Sequence, residues 1–555
     1  MKLFPRILIF ALIFHGHLHG QIQGQTLLVP HNVRGLQGDL GTPTVPVELP
    51  LAASMRPQPD AWRESLNSYL PENDALELSS IIAFMVDMEP DPVWNDGGIE
   101  DQISAGILWI QGPPSIQEQV DQAIKPLLER RQRTLRATVR SLAKVDEAEI
   151  PGIVLGQNDA NTLATKSPIT VAVDLRTGRT TRLAAQRTRA LVGDYNVEVA
   201  EKSAIADPVV IAMPEGFEMD LRVRPAPEGK LFVEWTARAS LSDTPLTTET
   251  PYGQLSLPRC DSLITAGSAL MTNGGGVVVG SRKAGGPWLL TVDGPAIESA
   301  GIECAPLLTP HRRFRLPVTV GVVPSSGSDA VDDDCEEESE SLVDWDALQQ
   351  NLGCEGTEWA DWDDAIWIRN DQERLASGRK SAASLVQQIA RTVGVDVRWG
   401  LLSPEEVTAS DAASLAKKLD HTGRLCGRLG DDLLLVAGKE QNYVRDYDVE
   451  IASDSQIGDV IVSTLFEGLG LRLRVDEAPN ARALLTGDLA FQLVQPIAEF
   501  TPSEPSKLGP VQTPMTRMVT ANPRASMAAD AWHVLHVGSL GPEAPSFVIV
   551  VRPRL

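Results

Sequence analysis

From Gly216 the chain alternates apolar and polar side chains for longer than a helix can use. Phe217, Met219, Leu221 and Val223 fall on one side, and Glu218, Asp220, Arg222 and Arg224 on the other. After a turn rich in proline and glycine (Pro225, Pro227, Gly229) the period of two resumes. Leu231, Val233, Trp235, Ala237, Ala239 and Leu241 now oppose Glu234, Thr236, Arg238 and Ser240. The pattern predicts a long antiparallel hairpin with one dry and one wet face. It fixes the middle of the chain as extended β structure.

The same reading on either side gives a coarse plan. Upstream, ALELSSIIAFMVDMEPDPVWND predicts a helix ending before Pro90, and ILWIQGPP a buried strand at residues 107–110. A second helix begins at Ser115, with Glu118 completing a capping box and Pro126 expected to kink it. Its apolar stripe is Ile116, Val120, Ile124, Leu127 and Leu128. From Arg133 the period changes to two, and a β-domain continues through TVAVDL, RTTRLAAQR, YNVEVA, the central hairpin and the run after Gly274, with RFRLPVTVGVV as its last strand. Few helices fit inside it. Residues 325–346 are acidic and nearly devoid of apolar side chains, which predicts a linker. Beyond it, SAASLVQQIARTVGVDVRWG reads as helix then strand, and residues 455–466 read as a further helix before a strand at 471–475. The two halves share a plan, without residue identity sufficient to define a repeat.

Charge and cysteine usage narrow the function. With 49 Lys plus Arg against 74 Asp plus Glu, the formal net charge is −25, which repels a phosphate backbone and excludes nucleic acid as the expected partner. The opening MKLFPRILIFALIF pairs a basic start with an apolar run too short to span a membrane, the pattern of a secretory signal. No later run reaches the ~18 apolar residues of a membrane helix, so none is expected after signal cleavage. Five cysteines (Cys260, Cys304, Cys335, Cys354, Cys426) leave at least one unpaired, with Cys260–Cys304 and Cys335–Cys354 as candidate bridges. No close cysteine pair offers zinc a site.

Candidate chemistry is sparse. NGGGVVVGS has Ser281 where a phosphate loop needs lysine, and its valine triplet is strand sequence, so it reads as a hairpin turn entering a buried strand. The spellings Ser377 to Lys380, Ser65 to Asn67 and Arg176 to Gly178 occur in the reverse order from that of penicillin-recognising enzymes. Candidate bases reduce to His31, His311, His421, His533 and His536; the last two, three apart in a strand, are expected on opposite faces. The tryptophans Trp345, Trp359, Trp362 and Trp367 lie among Asp344, Asp346, Asp361, Asp363 and Asp364. Such a segment suits sugar stacking or calcium, but the carboxylates lack calcium-loop spacing, and the expected role is to anchor the linker to the next module. No catalytic, cofactor-binding or metal residue is assigned, and no cofactor is expected.

The phrases EGFEMDLRVRPAPEGKLFVEWTARASLS and LPRCDSLITAGSALMTNGGGVVVGS, following RTLRATVRSL, resemble the secretins, the ring-forming channels of bacterial secretion and type IV pilus systems. ILWIQGPPSIQEQVDQAIKPLLERR is similar to the small ring-building domains that precede a secretin barrel. SAASLVQQIARTVGVDVRW through DDLLLVAG is similar to the short domain of secretins and TonB-dependent receptors. After Gly280, SRKAGGPWLLTVDG lacks the P-x-L-G-x-I-P phrase of the secretin gate, and a β-domain of residues 132–323 leaves little room for lipid-facing hairpins. The resemblance implies an α+β protein in which small ring-building modules flank a central antiparallel secretin-like β-domain. The expected parts are a signal peptide (1–24), a leader (25–59), an α+β module (60–131), the β-domain (132–323), the acidic Trp/Asp segment (324–375), a short α+β module (376–440) and a carboxy-terminal α+β module (441–555). The implied role is a non-catalytic scaffold in the periplasm, cell envelope or outer membrane, serving protein secretion through protein partners or a homo-oligomeric ring. The alternative is a periplasmic or surface protein that binds glycan or calcium through the Trp/Asp segment. An enzyme using scattered carboxylates is a third reading that no spacing supports.

Overall fold

The computed structural model describes residues 27–32, 100–104, 107–112, 114–131, 133–200, 203–250, 253–295, 301–309, 311–313, 350–352, 359–362, 365–368, 372–452, 455–479, 482–500, 509–541 and 544–555, with Met85. The chain divides into two compact units, residues 1–37 with 78–128, and residues 38–77 with 129–555. In the first, Ile107–Gly112 is the middle strand of a three-stranded antiparallel sheet between Leu27–Asn32 and Glu100–Ser104. A helix, Pro114–Arg131, follows and runs through Pro126 to its end. Val120, Ala123, Ile124 and Leu127 form its buried stripe, as their spacing predicts. The expected helix before Pro90 lies outside the described residues apart from Met85. No helix of the described residues is long and apolar enough to cross a membrane.

The second unit holds two nine-stranded antiparallel sheets. In the long sheet the strands run, from edge to edge, Thr516–Ala521, Arg482–Val494, Ser455–Ala478, Asp432–Ala452, Arg259–Thr272, Lys230–Ser242, Ser203–Ala226 and Thr180–Ala200, with Arg524–Ala528 also paired to Arg482–Val494. In the short sheet the order is His533–Ser539, Ser546–Arg554, Thr392–Leu402, His421–Arg428, Gly276–Ser281, Trp288–Asp293, Thr134–Ser141 and Ile169–Arg176, with Val154–Leu155 also paired to Gly276–Ser281. The dry face of the central hairpin closes one core between them. Phe217, Met219, Leu221, Val223, Val233 and Trp235 share a buried cluster with Leu135, Val139, Trp288, Trp399 and Phe547 of the short sheet. Two aromatic pairs bridge the layers: the Phe217 and Trp288 rings sit 5.0 Å apart, and Phe491 stacks on Phe547 at 4.1 Å.

Each sheet is two copies of one design in tandem. The long sheet contains a hairpin of 21 and 24 residues, Thr180–Ala200 with Ser203–Ala226, and another of 21 and 24 residues, Asp432–Ala452 with Ser455–Ala478. Both carry a register shift at the same place, Val192/Asp194 and Val444/Asp446. VGDYNVEVA from Val192 reappears as VRDYDVEIA from Val444, and EGFEMDLRV from Glu215 as EGLGLRLRV from Glu467, each 252 positions on. The next strands, Lys230–Ser242 and Arg482–Val494, keep that displacement and are both 13 residues long. In the short sheet Ile169–Arg176 and His421–Arg428 keep it too.

Several expectations change. The helix expected at residues 455–466 is the first half of the strand Ser455–Ala478; Ile457, Val460, Ile461 and Val462 fit either period by spacing, and pairing with Asp432–Ala452 decides for the strand. RTTRLAAQR and YNVEVA form one strand, Thr180–Ala200, continuous through a bulge. A helix, Gln157–Lys166, lies inside the β-domain where few were expected, burying only Ala160 and Leu163. The wet face of the central hairpin dries at its turn, where Arg224 and Glu234 are buried as an ion pair. The antiparallel β-structure does not end near Val323 but continues to Arg554, and its hairpin strands reach 24 residues. Thr392–Leu402 and His421–Arg428, assigned by sequence to a short separate module, lie in one sheet with Thr134–Ser141. Residues 314–323, expected to form the closing strand, lie outside the described residues. Cys260 is a free thiol, so its candidate bridge to Cys304 is absent, whereas Cys335 and Cys354 lie outside the described residues.

Candidate assembly interface

The two repeats meet along a seam of main-chain hydrogen bonds. Arg259–Thr272, the last long strand of the first repeat, pairs with Asp432–Ala452, the first of the second, from Arg259 opposite Gln441 to Ala266 opposite Leu434. In the short sheet Gly280 and Ser281 pair with Arg424 and Gly423. The layers approach so closely here that a Cβ on Gly267 would collide with the Cys426 carbonyl and touch the Trp235 ring. Burial pushes the Cys260 thiol up to about 12 and the Cys426 thiol higher still, so neither is poised as a thiolate.

Beneath the seam lies a buried polar network. Asp431 accepts hydrogen bonds from Ser268 Oγ (2.9 Å), Arg428 Nη2 (3.0 Å) and the Arg312 backbone N–H (3.2 Å), and His311 Nδ1 lies 3.0 Å from it. Arg312 donates to the carbonyls of Trp235 (3.1 Å) and Gly267 (2.6 Å), and its guanidinium also lies 3.5 Å from Glu234, the partner of Arg224. Burial alone would raise the Asp431 pKa, but the His311 hydrogen bond and the Arg428 charge outweigh it and hold the carboxyl below its usual range. Glu234 is likewise held low, Arg224 and Arg312 outweighing its burial. Residues 311–313 thus staple strands of both repeats together. Serine, histidine and aspartate occur in this cluster without the wiring of a nucleophile and its base, because the Ser268 hydroxyl donates to Asp431 and accepts from the Arg428 N–H while fully buried.

Other residues weighed from sequence are scattered. Ser281 is buried in the strand Gly276–Ser281, as the hairpin reading requires. Ser377 and Lys380 are exposed on the helix Gln372–Ile389, Arg176 ends the strand Ile169–Arg176 with Gly178 beyond it, and Ser65 and Asn67 lie outside the described residues. His31 lies in the strand Leu27–Asn32, in the first unit. His421 packs on Trp399 at 5.4 Å, with burial lowering its pKa. His533 and His536 face Val551 and Ile549, residues two apart, across a bulge, so they share a sheet face and the expectation of opposite faces is overturned. No cluster of three metal-ligating side chains occurs among the described residues. Trp359–Trp362 and Ala365–Ile368 form a small antiparallel sheet with Ile302–Glu303; Trp367 is 3% exposed, and its neighbour Ile366 packs in a cluster with Ile302, Cys304 and Leu352. Trp345, Asp344, Asp346, Asp363 and Asp364 lie outside the described residues.

The ribbons meet again near their bulges, where Tyr195, Leu255, Leu257, Val444, Tyr447, Val460 and Val462 share a second buried cluster. Burial, reinforced by the Asp459 charge, pushes the Asp194 carboxyl up to about 6 despite a hydrogen bond from the Tyr195 N–H. A raised carboxyl pKa favours the folded state most below the ordinary carboxylate range, and that contribution is lost as pH rises through about 6. Asp194→Asn is therefore expected to stabilise the fold by ~1 kcal/mol at pH 7.5, after allowance for solvent screening, and by nothing near pH 4. Urea midpoints at the two pH values check this, and equal shifts at both would refute it.

The long sheet has two open edges among the described residues, Thr180–Ala200 and Thr516–Ala521, and the short sheet two more, Ile169–Arg176 and His533–Ser539. Among solved structures the chain is similar to the Salmonella SPI-1 type III secretion injectisome secretin InvG at 10% identity, covering 38% of this chain and 77% of that one with a TM-score of 0.18. It is similar to Aeromonas hydrophila ExeD at 9% identity over 96% and 90% of the two chains (TM-score 0.18), and to the ETEC pilotin–secretin AspS–GspD complex at 8% over 87% and 86% (TM-score 0.17). Scores of this size do not carry an argument about shared architecture. No family model matches the chain, and no curated protein does.

Proposed function

We propose that the protein is an exported, non-catalytic envelope scaffold of secretin-like build, which assembles with protein partners, its own copies included, in the service of protein secretion. The observation that carries this reading is the tandem sheet: two copies of one β-design joined by strand pairing, with strand edges left open at both ends. An open edge presents unpaired N–H and C=O groups that another strand can satisfy. The secretin-like phrases, Glu215–Ser242 and Leu257–Ser281 by residue number, supply strands of the long sheet, the second running on into the short sheet at Gly276–Ser281. The deepest charged cluster is wired as a structural staple, and no residue is assigned a catalytic role. The glycan or calcium reading loses its anchor in Trp367, which is buried. The test is light scattering and negative-stain imaging of the purified mature chain. Discrete ring-like multimers are expected; a persistent monomer retained by immobilised polysaccharide would replace this reading with the binding-protein one.

A further inference from the structure

The seam inside the chain specifies how one copy meets the next. We infer that copies of this chain join head to tail by repeating that seam between molecules, strand for strand and in a fixed register. The inference rests on the scaffold reading and adds the surface, the partner segment and the alignment.

The two repeats are related strand by strand along the chain. Strand Arg259–Thr272 belongs to the first repeat and pairs with Lys230–Ser242 as Thr516–Ala521 and Arg524–Ala528 pair with Arg482–Val494, so these two strands, displaced by 256 positions, are its counterpart at the edge of the long sheet. Strand Asp432–Ala452 belongs to the second repeat, and its counterpart is Thr180–Ala200, the opposite edge of the same sheet. The two strands that make the internal seam are thus the very two whose counterparts have no second neighbour among the described residues. Applying these displacements to Asp261 opposite Lys439 places Arg517 opposite Arg187, and applying them to Ile264 opposite Val436 places Thr520 opposite Ala184. The short sheet gives an independent check. Its internal seam joins Gly276–Ser281 to His421–Arg428, and the corresponding strands His533–Ser539 and Ile169–Arg176 are its two edges. One movement therefore satisfies the edges of both layers together.

The exposed side chains suit a covered surface. Met515 and Met518 on one long-sheet edge are 60% and 48% exposed, and in the short sheet Ile169 and Val537 are 56% and 40% exposed. Arginines on the receiving edge do not stand as isolated like charges, since Arg182 is bonded to Asp220 at 2.7 Å and Arg187 to Glu215 at 2.6 Å within their own hairpin. The joined surfaces differ from each other, so the contact is heterologous and propagates from copy to copy, closing where the rotation closes.

Directly opposed residues of an antiparallel pair have Cα atoms ~4.5–5.5 Å apart, within disulfide reach. The test uses full-length chain carrying T520C with A184C, and separately R517C with R187C; pairs three residues apart along the strands cover both kinds of opposed position. Single-cysteine chains and the misaligned pair T520C with T181C are controls, the latter displaced by ~10 Å. On mild oxidation the aligned pairs are expected to give a ladder of covalent multimers on non-reducing gels, lost on reduction, with the controls unchanged from the parent chain. A ladder from the misaligned pair alone overturns the register. Multimers by light scattering without any ladder from the aligned pairs overturn this seam and leave the scaffold reading standing. A monomer by light scattering overturns both.

Discussion

Replacing Asp431 with alanine is expected to destabilise the fold by ~3–5 kcal/mol, the cost of removing one partner from a buried charged network. Its carboxylate is met by Ser268, Arg428, His311 and the Arg312 N–H, and its loss removes the charge to which the Arg428 guanidinium, 4% exposed, is bonded. Asp431→Asn keeps the shape and is expected to fall between alanine and the parent. Because this carboxyl is held below its usual range, its contribution is present above the ordinary carboxylate pKa and is lost as pH falls through the lower folded value. The exposed pair Arg136–Asp174 supplies the contrast: Asp174→Asn should change stability by less than ~1 kcal/mol. Urea unfolding of the three variants at pH 7 and pH 4 makes the measurement. A loss below ~1 kcal/mol for Asp431→Ala would mean that residues 311–313 do not staple the repeats.

Alanine at Gly216 or at Gly468 is expected to cost ~2–4 kcal/mol each, and the two costs should agree within ~1 kcal/mol. Gly216 has φ +131° and Gly468 φ +152°, a region that disfavours any Cβ. The added carbon would also collide with a carbonyl oxygen, that of Ala185 in the first repeat and of Ala437 in the second, residues themselves 252 positions apart. The same backbone obstruction at matching sites makes the pair a direct test of the tandem design. Gly229→Ala is the control: its φ is +66° with nothing within 4 Å of the new carbon, so only the backbone preference, ~1 kcal/mol, is at stake. Midpoint temperatures or urea midpoints of the three variants suffice, and strongly unequal losses at Gly216 and Gly468 would argue against equivalent ribbons.

The hairpin was legible because its alternation is clean: Phe217 through Val223 and Leu231 through Ala239 are buried on the predicted side. The helix at Pro114–Arg131 was legible from its stripe. The strand at residues 455–466 was not, since Ile457, Val460, Ile461 and Leu465 also fit a helix; its β-branched residues were the signal that could have decided it. The tandem design had a signature too, in VGDYNVEVA with VRDYDVEIA and EGFEMDLRV with EGLGLRLRV. Identity is concentrated at the bulge and the bend, where geometry restricts residue choice. Elsewhere the strands require only alternation, so Trp235 of the first copy stands where the second has Gly487, and overall likeness fades. The seam and the staple were illegible for another reason. Arg259 opposite Gln441, and Ser268 bonded to Asp431, are contacts between distant stretches that no local pattern encodes.

Fusing two lobes in one polypeptide has an arithmetical outcome. A closed assembly of such chains contains an even number of lobes, and every other junction forms by intramolecular encounter, at an effective concentration no free subunit reaches. Only the alternate junctions must wait for diffusion. The two lobes are also free to diverge, so that odd and even positions around the circumference can present different faces to whatever passes or docks there.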